Sequence, residues 1–312
     1  VLGAQPVARR RLEPEARVVP RVAEHHHEPR PRRPHRRQPV AHQPPPDPLA
    51  ASLRAHRQRR QPEPAEAAPA EVRAAAAKAL TFLEASSIAW RAEKKCVTCH
   101  QVPFTIWALN EAKGRGLAVD AKTLDDLTAW ALGFCATNEH MGAKTGGFHL
   151  TSAFVVLAQA GAPLSPDALK TYPLFETLFA TRQRPDGSWR EWNQVKLPGA
   201  DREADEVDTM WTLLAVRELE RHVNTLPVAT LDGLAAERAK ATAFLSGAKA
   251  GRRVDWLALR ALVAADGGPL AHPAAALAEL RAVQNADGGW GYVRGGECYP
   301  HTTGECPVSY TH

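Results

Sequence analysis

A seven-residue pattern that occurs twice limits the fold of this chain more than any other feature. The pattern is Q-x-x-D-G-x-W, and its copies span residues 183–189 and 284–290. Each copy follows a stretch of helical periodicity and contains a glycine that permits a tight turn. The glutamine can bond to backbone groups at a helix end, and the tryptophan can pack over the junction with the next repeat. We therefore predict a repeated helical architecture in which Trp189 and Trp290 hold neighbouring repeats together.

Helical periodicity continues on both sides of these copies. It predicts helices over residues 71–92, 104–114, 120–137, 147–161, 165–183, 204–221, 234–248 and 254–266, and a last helix that begins at 273. In chain order these helices form four pairs and the first half of a fifth. Hardly any window alternates like a strand, so the pattern predicts an all-α protein in which each helix pair buries its apolar face against the next.

The first seventy residues differ in composition from the rest of the chain. Residues 1–70 hold 14 of the 25 prolines, contain no Phe, Trp, Tyr or Lys, and carry a formal charge of +7. A segment of this kind cannot bury a core. We predict a disordered Arg/Pro-rich tail, or sequence upstream of the true start, over 1–70 and a folded domain over 71–312. Because the folded part is near neutral, it is not expected to bind nucleic acid.

The two Q-x-x-D-G-x-W segments resemble the QW motifs of the squalene-cyclase and protein-prenyltransferase repeat family. The resemblance covers roughly 71–297. It implies an α/α-toroid, in which an inner ring of helices lies inside an outer ring around a central cavity. Such a barrel normally closes with more helix pairs than the pattern predicts here. The toroid is therefore expected to be incomplete at its C-terminus, where the chain is truncated or its last stretch is not native.

Cyclases of that family carry a D-x-D-D-T-A motif whose protonated acid starts the reaction. The best match here reads D-E-V-D-T-M, begins at Asp205 and places Val207 where the acid belongs. Valine cannot donate a proton, so we predict no catalytic residue and no terpene cyclisation. Asp205 and Asp208 are interpreted instead as part of the acidic start of a helix. Cys298 and His301 are two possible ligands of a prenyltransferase zinc, but the surrounding pattern is incomplete.

The sharpest chemical feature is the Cys-x-x-Cys-His segment at residues 96–100. Two thiols at this spacing can add to the two vinyl groups of one haem, and the adjacent histidine can bind the iron as proximal ligand. Phe104 and Trp107, on the predicted helix that follows, can cover a porphyrin face. We predict a covalently attached haem c held by Cys96 and Cys99, with His100 as a ligand of the metal.

The sixth ligand of this haem is less strongly specified. Met141 lies in a loop before two glycines and is the predicted ligand, and a methionine there would raise the reduction potential. His140 and His149 are alternatives. Met210 lies on a predicted helix and is interpreted as a core residue.

Two other interpretations of the thiols stay open. In the first, Cys96 and Cys99 bind a structural zinc together with His100, Cys135 or His140. In the second, the two thiols form a redox dithiol or have no special chemistry.

Three functions follow as expectations. The first is an exported, periplasmic haem protein for electron transfer or redox sensing, with an unknown redox partner; no signal peptide is visible to support export. The second is a non-catalytic repeat scaffold whose cysteine pair binds zinc or nothing. The third is a degenerate terpene cyclase or prenyltransferase-like enzyme. No apolar run of about 18 residues occurs, so no transmembrane segment is predicted.

Overall fold

The computed structural model describes most of the chain beyond its first 68 residues. The described residues are 69–97, 101–137, 149–190, 201–222, 225–249, 251–267, 270 and 273–311. Contacts within the chain divide it after Arg60, and every described residue belongs to the second unit, 61–312. The prediction of a disordered tail over 1–70 therefore lies outside the described residues, except that the first helix already begins at Pro69.

Ten α-helices account for nearly all regular structure in these ranges. They are α1 (Pro69–Lys94), α2 (Gln101–Gly114), α3 (Ala121–Cys135), α4 (His149–Leu157), α5 (Pro166–Arg182), α6 (Asp201–Glu220), α7 (Val228–Ser246), α8 (Val254–Ala265), α9 (Pro273–Ala282) and α10 (Pro300–Thr311). No β-strand occurs among the described residues; two isolated bridges join Arg253 to Val293 and Gly291 to Cys298. The all-α prediction is confirmed.

The second helices of the pairs form one layer, and three of the first helices, α3, α5 and α7, form another. The second helices contact one another in succession, α2 with α4, α4 with α6, α6 with α8, and α8 with α10. On the other side, α3 contacts α5 and α5 contacts α7. Helices α4, α6 and α8 carry mostly buried residues, as expected of helices with neighbours on several sides. The core therefore lies along the second helices.

The last helix pair differs from the prediction, which stopped halfway through it. Residues 300–311 form α10, which packs on α8 and α9 and buries Thr302 and Cys306 completely. The chain therefore supplies five described pairs. The sequence pattern did not predict this helix, because the helix contains a glycine at 304 and a proline at 307, both of which are unfavourable inside helices.

Three helices begin three or more residues earlier than predicted. Helix α2 begins at Gln101 instead of 104, α6 at Asp201 instead of 204, and α7 at Val228, directly after Pro227, instead of 234. Helix α5 starts close to its predicted position because the Ser165 hydroxyl accepts a hydrogen bond from the Ala168 amide at 3.1 Å.

The first copy of the repeated pattern forms a tight turn after α5. Gly187 has a φ of 89°, a conformation that favours glycine, and the Ser188 amide donates to Asp186 Oδ1 at 3.0 Å. Trp189 is fully buried, and its indole nitrogen donates to the Phe179 carbonyl at 2.9 Å. Its amide donates to Thr209 of α6, so the turn ties the end of α5 to the next helix.

The second copy repeats this geometry after α9. Gly288 has a φ of 85°, and the Gly289 amide donates to Asp287 Oδ1 at 2.9 Å. The Trp290 indole donates to the Leu280 carbonyl at 3.0 Å, and its amide donates to Thr303 of α10 at 2.9 Å. Two turns with the same bonds confirm the prediction that Trp189 and Trp290 pack at helix junctions.

Candidate functional site

The Cys-x-x-Cys-His segment lies between α1 and α2. Cys96 follows directly after Lys95, which has a positive φ of 54° and so turns the chain away from the end of α1. The Cys96 carbonyl accepts a hydrogen bond from the indole of Trp90 at 3.0 Å, and Val97 is completely buried. Cys96 is a half-buried free cysteine. These contacts hold the backbone that carries the first thiol of the segment against α1.

Helix α2 is fastened to α1 directly after the segment. The Gln101 amide group donates to Ser86 at 3.0 Å, and the hydroxyl of Ser87 donates to that of Thr105 at 2.7 Å. The described residues on each side of positions 98–100 are therefore held against α1. Cys99 and His100 themselves lie outside the described residues, so their position relative to Cys96 stays a prediction.

An aromatic cluster begins one turn into α2. Phe104 and Phe154 lie edge to face with their ring centroids 5.0 Å apart, and Phe154 and Trp211 do the same at 5.0 Å. Trp107 joins the group at 6.5 Å from Trp211. Phe104 and Trp107 are half-buried, so they add apolar surface shortly after the segment.

The first turn of α10 meets this aromatic cluster. The ring of His301 lies 5.9 Å from that of Phe104 and 6.4 Å from that of Tyr299. Nδ1 of His301 lies 3.4 Å from Oε1 of Glu305, one helical turn further on. This hydrogen bond raises the pKa of His301, while burial raises the pKa of the Glu305 carboxyl. His301 therefore has an aromatic neighbour and a carboxylate neighbour.

A buried ion pair lies behind His301 and Glu305. Arg253 and Asp255 are both almost fully buried and form a salt bridge at the start of α8, and the guanidinium stacks over the Tyr292 ring at 5.1 Å. Burial raises the pKa of the Tyr292 hydroxyl to about 12. Sequence reasoning missed this polar cluster, because its members are separated along the chain and share no motif.

The acidic residues Glu203, Asp205, Glu206 and Asp208 of α6 are buried, which their interpretation as the acidic start of a helix did not predict. Asp205 accepts a hydrogen bond from Arg184 at 3.1 Å and forms a second ion pair with Arg190. The two carboxylate oxygens of Glu203 accept hydrogen bonds from backbone N–H groups that precede α8. Val207 lies buried in the core. Asp205 and Glu203 therefore have structural partners, and Val207 is an apolar core residue.

The remaining candidate ligands fall in two groups. Met141 and His140 lie outside the described residues, whereas His149 is completely buried on α4. Cys135 is also completely buried, and burial raises the pKa of its thiol to about 12. Met210 is a fully buried core residue, as predicted.

The possible prenyltransferase ligands are placed differently from a zinc site. Cys298 is exposed, and its sulfur lies 3.3 Å from the Thr303 hydroxyl, while His301 pairs with Glu305. Within the described ranges, no group of three or more His, Cys, Asp or Glu side chains is arranged to hold a metal ion.

Comparison with protein-family models, with curated proteins and with solved structures gave no match to this chain. The resemblance of residues 71–297 to the squalene-cyclase and prenyltransferase repeats thus stays a prediction. In the part of the chain that the structure describes, none of the helices is both long enough and apolar enough to cross a membrane.

Proposed function

We propose that this chain is an α/α-toroid protein that carries one haem c on Cys96, Cys99 and His100 and serves electron transfer or redox sensing. The toroid is supported by the two layers of helices, in which the second helices would form the inner ring. The contact between Phe104 of α2 and His301 of α10 brings the first and last of these helices together. The repeated turns at 183–189 and 284–290 would join the two layers.

The observation that carries the haem proposal is the position of Cys96, the first thiol of the segment, directly after α1. Cys96 is a free cysteine, and its backbone carbonyl accepts a hydrogen bond from the Trp90 indole. The next helix presents Phe104 and Trp107 within two turns of the segment, which is apolar surface suited to a porphyrin. Of the three attachment residues only Cys96 is described, and it fits the group as a free thiol; Cys99 and His100 would supply the second thiol and the iron ligand.

Attachment needs no atom beyond those of the thiols and the porphyrin. Each S–H would add across one vinyl group, with sulfur bonding to one carbon and hydrogen to the other. A bound haem would supply one-electron chemistry, and the protein would tune its potential through the sixth ligand and through burial. Met141, the predicted sixth ligand, stays a prediction. Because this attachment takes place outside the cytoplasm, the proposal includes export, with an unknown redox partner.

The test is to express the chain with an export signal in cells that have a c-type attachment system. A denaturing gel stained for haem peroxidase activity should show one stained band, and Cys99→Ala should remove most of the stain. Cys298→Ala is the matched control, because Cys298 is an exposed free thiol outside the segment. A colourless protein with stoichiometric zinc would instead support the scaffold alternative and contradict the haem.

A further inference from the structure

We infer that Glu176 and Glu237 hold a calcium ion between helices α5 and α7, with the side-chain amide oxygen of Gln183 as a third ligand. Glu176 lies on α5, Gln183 is the C-cap of that helix, and Glu237 lies on α7, which packs against α5. The inference goes beyond the proposed function and does not depend on the haem, because none of these residues belongs to the Cys-x-x-Cys-His segment.

Glu237 is the buried member of this site. Its residue is only 3% exposed, and neither of its carboxylate oxygens has a hydrogen-bond partner among the described residues. Lys240 lies on the exposed surface of α7, and its charge offsets only part of the cost that burial imposes. A buried carboxylate without a partner is costly, because neither its charge nor its lone pairs are satisfied. Such a group either keeps a proton or binds a cation.

The carboxylate of Glu176 lies against the backbone of α7 one turn before Glu237. A β-carbon at Gly233 would clash with Oε1 of Glu176, so the missing side chain at 233 makes room for this carboxylate. Its other oxygen, Oε2, accepts from the Thr177 hydroxyl at 3.4 Å. Positions 233 and 237 share one face of α7, and helical side chains tilt toward the N-terminal turn. The side chain of Glu237 therefore extends toward the carboxylate of Glu176.

The electrostatics of Glu237 agree with this arrangement. Burial, and after it the negative charge of Glu176, raises the pKa of Glu237 to about 8. Two carboxylates that repel each other beside a buried surface are the setting in which a divalent cation is bound most favourably, since one ion neutralises both charges.

Gln183 brings an amide oxygen to the same part of the interface. Its Nε2 donates to the backbone carbonyls of Gly187 at 3.1 Å and of Glu237 at 2.9 Å. Because both partners are acceptors, they fix the orientation of the amide. Its Oε1 is buried and has no hydrogen-bond partner within the described ranges. Gln183 is thus held against the residue that supplies the buried carboxylate, with an oxygen left over for a ligand.

The second copy of the repeated turn forms without an acidic pair. Gln284 makes the matching bond from Nε2 to the Gly288 carbonyl at 2.6 Å. Leu277 stands seven residues before Gln284, at the position that Glu176 occupies before Gln183. The turn therefore does not require a carboxylate at this position, and Glu176 is an addition specific to the first copy.

The three side chains offer the oxygen ligands that calcium prefers. Calcium binds about six to eight oxygens, drawn from carboxylates, amide carbonyls and water, in a flexible geometry, whereas magnesium demands a near-ideal octahedron and gives up its water reluctantly. Glu176 is only half-buried, so the ion can enter from its side, and water would complete the ligand shell. In calcium-free buffer Glu237 keeps its proton at neutral pH, and on binding that proton passes to the solvent.

The experiment titrates calcium into the full chain by isothermal calorimetry, after treatment with EDTA and removal of the chelator. Glu237→Gln removes the buried charge. Gly233→Ala keeps both carboxylates and favours the helix, but its methyl group takes the place of Glu176 Oε1. Asp232→Asn is the matched control, because it removes an exposed carboxylate from the same helix.

A second pair of variants tests the amide ligand. Gln183→Ala and Gln284→Ala each remove the Nε2 bond of one repeated turn, so the cost to the turn is shared and only Gln183→Ala removes a ligand. Circular dichroism and urea unfolding show whether each variant is folded. The urea midpoint of wild type should rise with calcium concentration, because the ion binds the folded chain.

We expect one calcium ion per chain, bound with the same affinity, for wild type, Asp232→Asn and Gln284→Ala. Glu237→Gln, Gly233→Ala and Gln183→Ala should each bind at least about tenfold more weakly, a loss that even outer residues of a metal site cause. If wild type binds no calcium, or if folded Glu237→Gln and Gly233→Ala bind it as tightly as wild type, the inference is wrong. Magnesium bound more tightly than calcium would contradict the choice of ion.

Discussion

The ring of His301 lies 5.9 Å from the ring of Phe104. This contact joins the last described helix, α10, to the helix that follows the Cys-x-x-Cys-His segment. It places the first turn of α10 against the aromatic cluster that begins in α2.

Truncation of Trp189 tests the structural role of the repeated turn. Trp189→Ala removes a fully buried indole and its hydrogen bond to Phe179, and should lower the free energy of unfolding by about 3–5 kcal/mol. Trp130→Ala, at a half-buried tryptophan on α3, should lower the free energy of unfolding by less. Urea unfolding, followed by circular dichroism, measures the stability of both variants. An unchanged stability of Trp189→Ala together with altered haem spectra would contradict a structural role.

Gly187 and Gly288 occupy the same position in the two repeated turns, so substitutions at them can be compared directly. Both have a positive φ, so alanine at either position should cost about 1–2 kcal/mol in backbone strain. A β-carbon at Gly187 would also lie 2.3 Å from the Lys240 carbonyl oxygen of α7, whereas one at Gly288 would meet nothing within 4 Å. We expect Gly187→Ala to be the more destabilising by a further 1 kcal/mol or more, roughly the cost of overpacking. If Gly187→Ala and Gly288→Ala have the same unfolding midpoint in urea, the turn at Gly187 does not pack on α7.

The carboxyl of Glu237 predicts a pH dependence of stability. It is buried on α7 with no hydrogen-bond partner among the described residues, and burial raises its pKa from 4.5 to about 8. Between pH 4.5 and pH 8 the Glu237 carboxyl has lost its proton in the unfolded chain but keeps it in the folded chain. Stability should therefore fall as pH rises through this window, by up to about 1.4 kcal/mol per pH unit.

Glu237→Gln should remove this slope and should be more stable than wild type near pH 8. Asp125→Asn, at an exposed carboxylate on α3, is the control and should leave the slope unchanged. Urea midpoints measured from pH 5 to 8 give the comparison. A wild-type stability that is flat across this range would mean that Glu237 ionises normally.

The sequence was most informative where local chemistry decides the structure. The glycine, aspartate and tryptophan of each Q-x-x-D-G-x-W copy make their bonds within the turn and to the adjacent helices, so the pattern predicted the turns around Gly187 and Gly288. Helix α10 was missed because tertiary packing of Thr302 and Cys306 overrides poor local helix formers.

The site was predictable only in part. The segment at 96–100 can be recognised in the sequence as a motif, because the spacing of its two cysteines and its histidine is typical of one kind of chemistry. The neighbourhood of His301 is not, because Arg253, Asp255 and Glu305 come together only through the packing of α8 against α10. His301 was noticed in the sequence as a possible zinc ligand, and its contact with Phe104 could not be deduced from spacing.

The central claim is that haem is bonded covalently to Cys96 and Cys99, and the intact mass of the denatured chain tests it most directly. Wild type produced with an export signal and a c-type attachment system should be heavier than its sequence by the mass of one haem. The Cys96→Ala, Cys99→Ala double variant from the same cells should have the unmodified mass. A wild-type chain with the unmodified mass, or one that loses its haem on denaturation, would contradict the account.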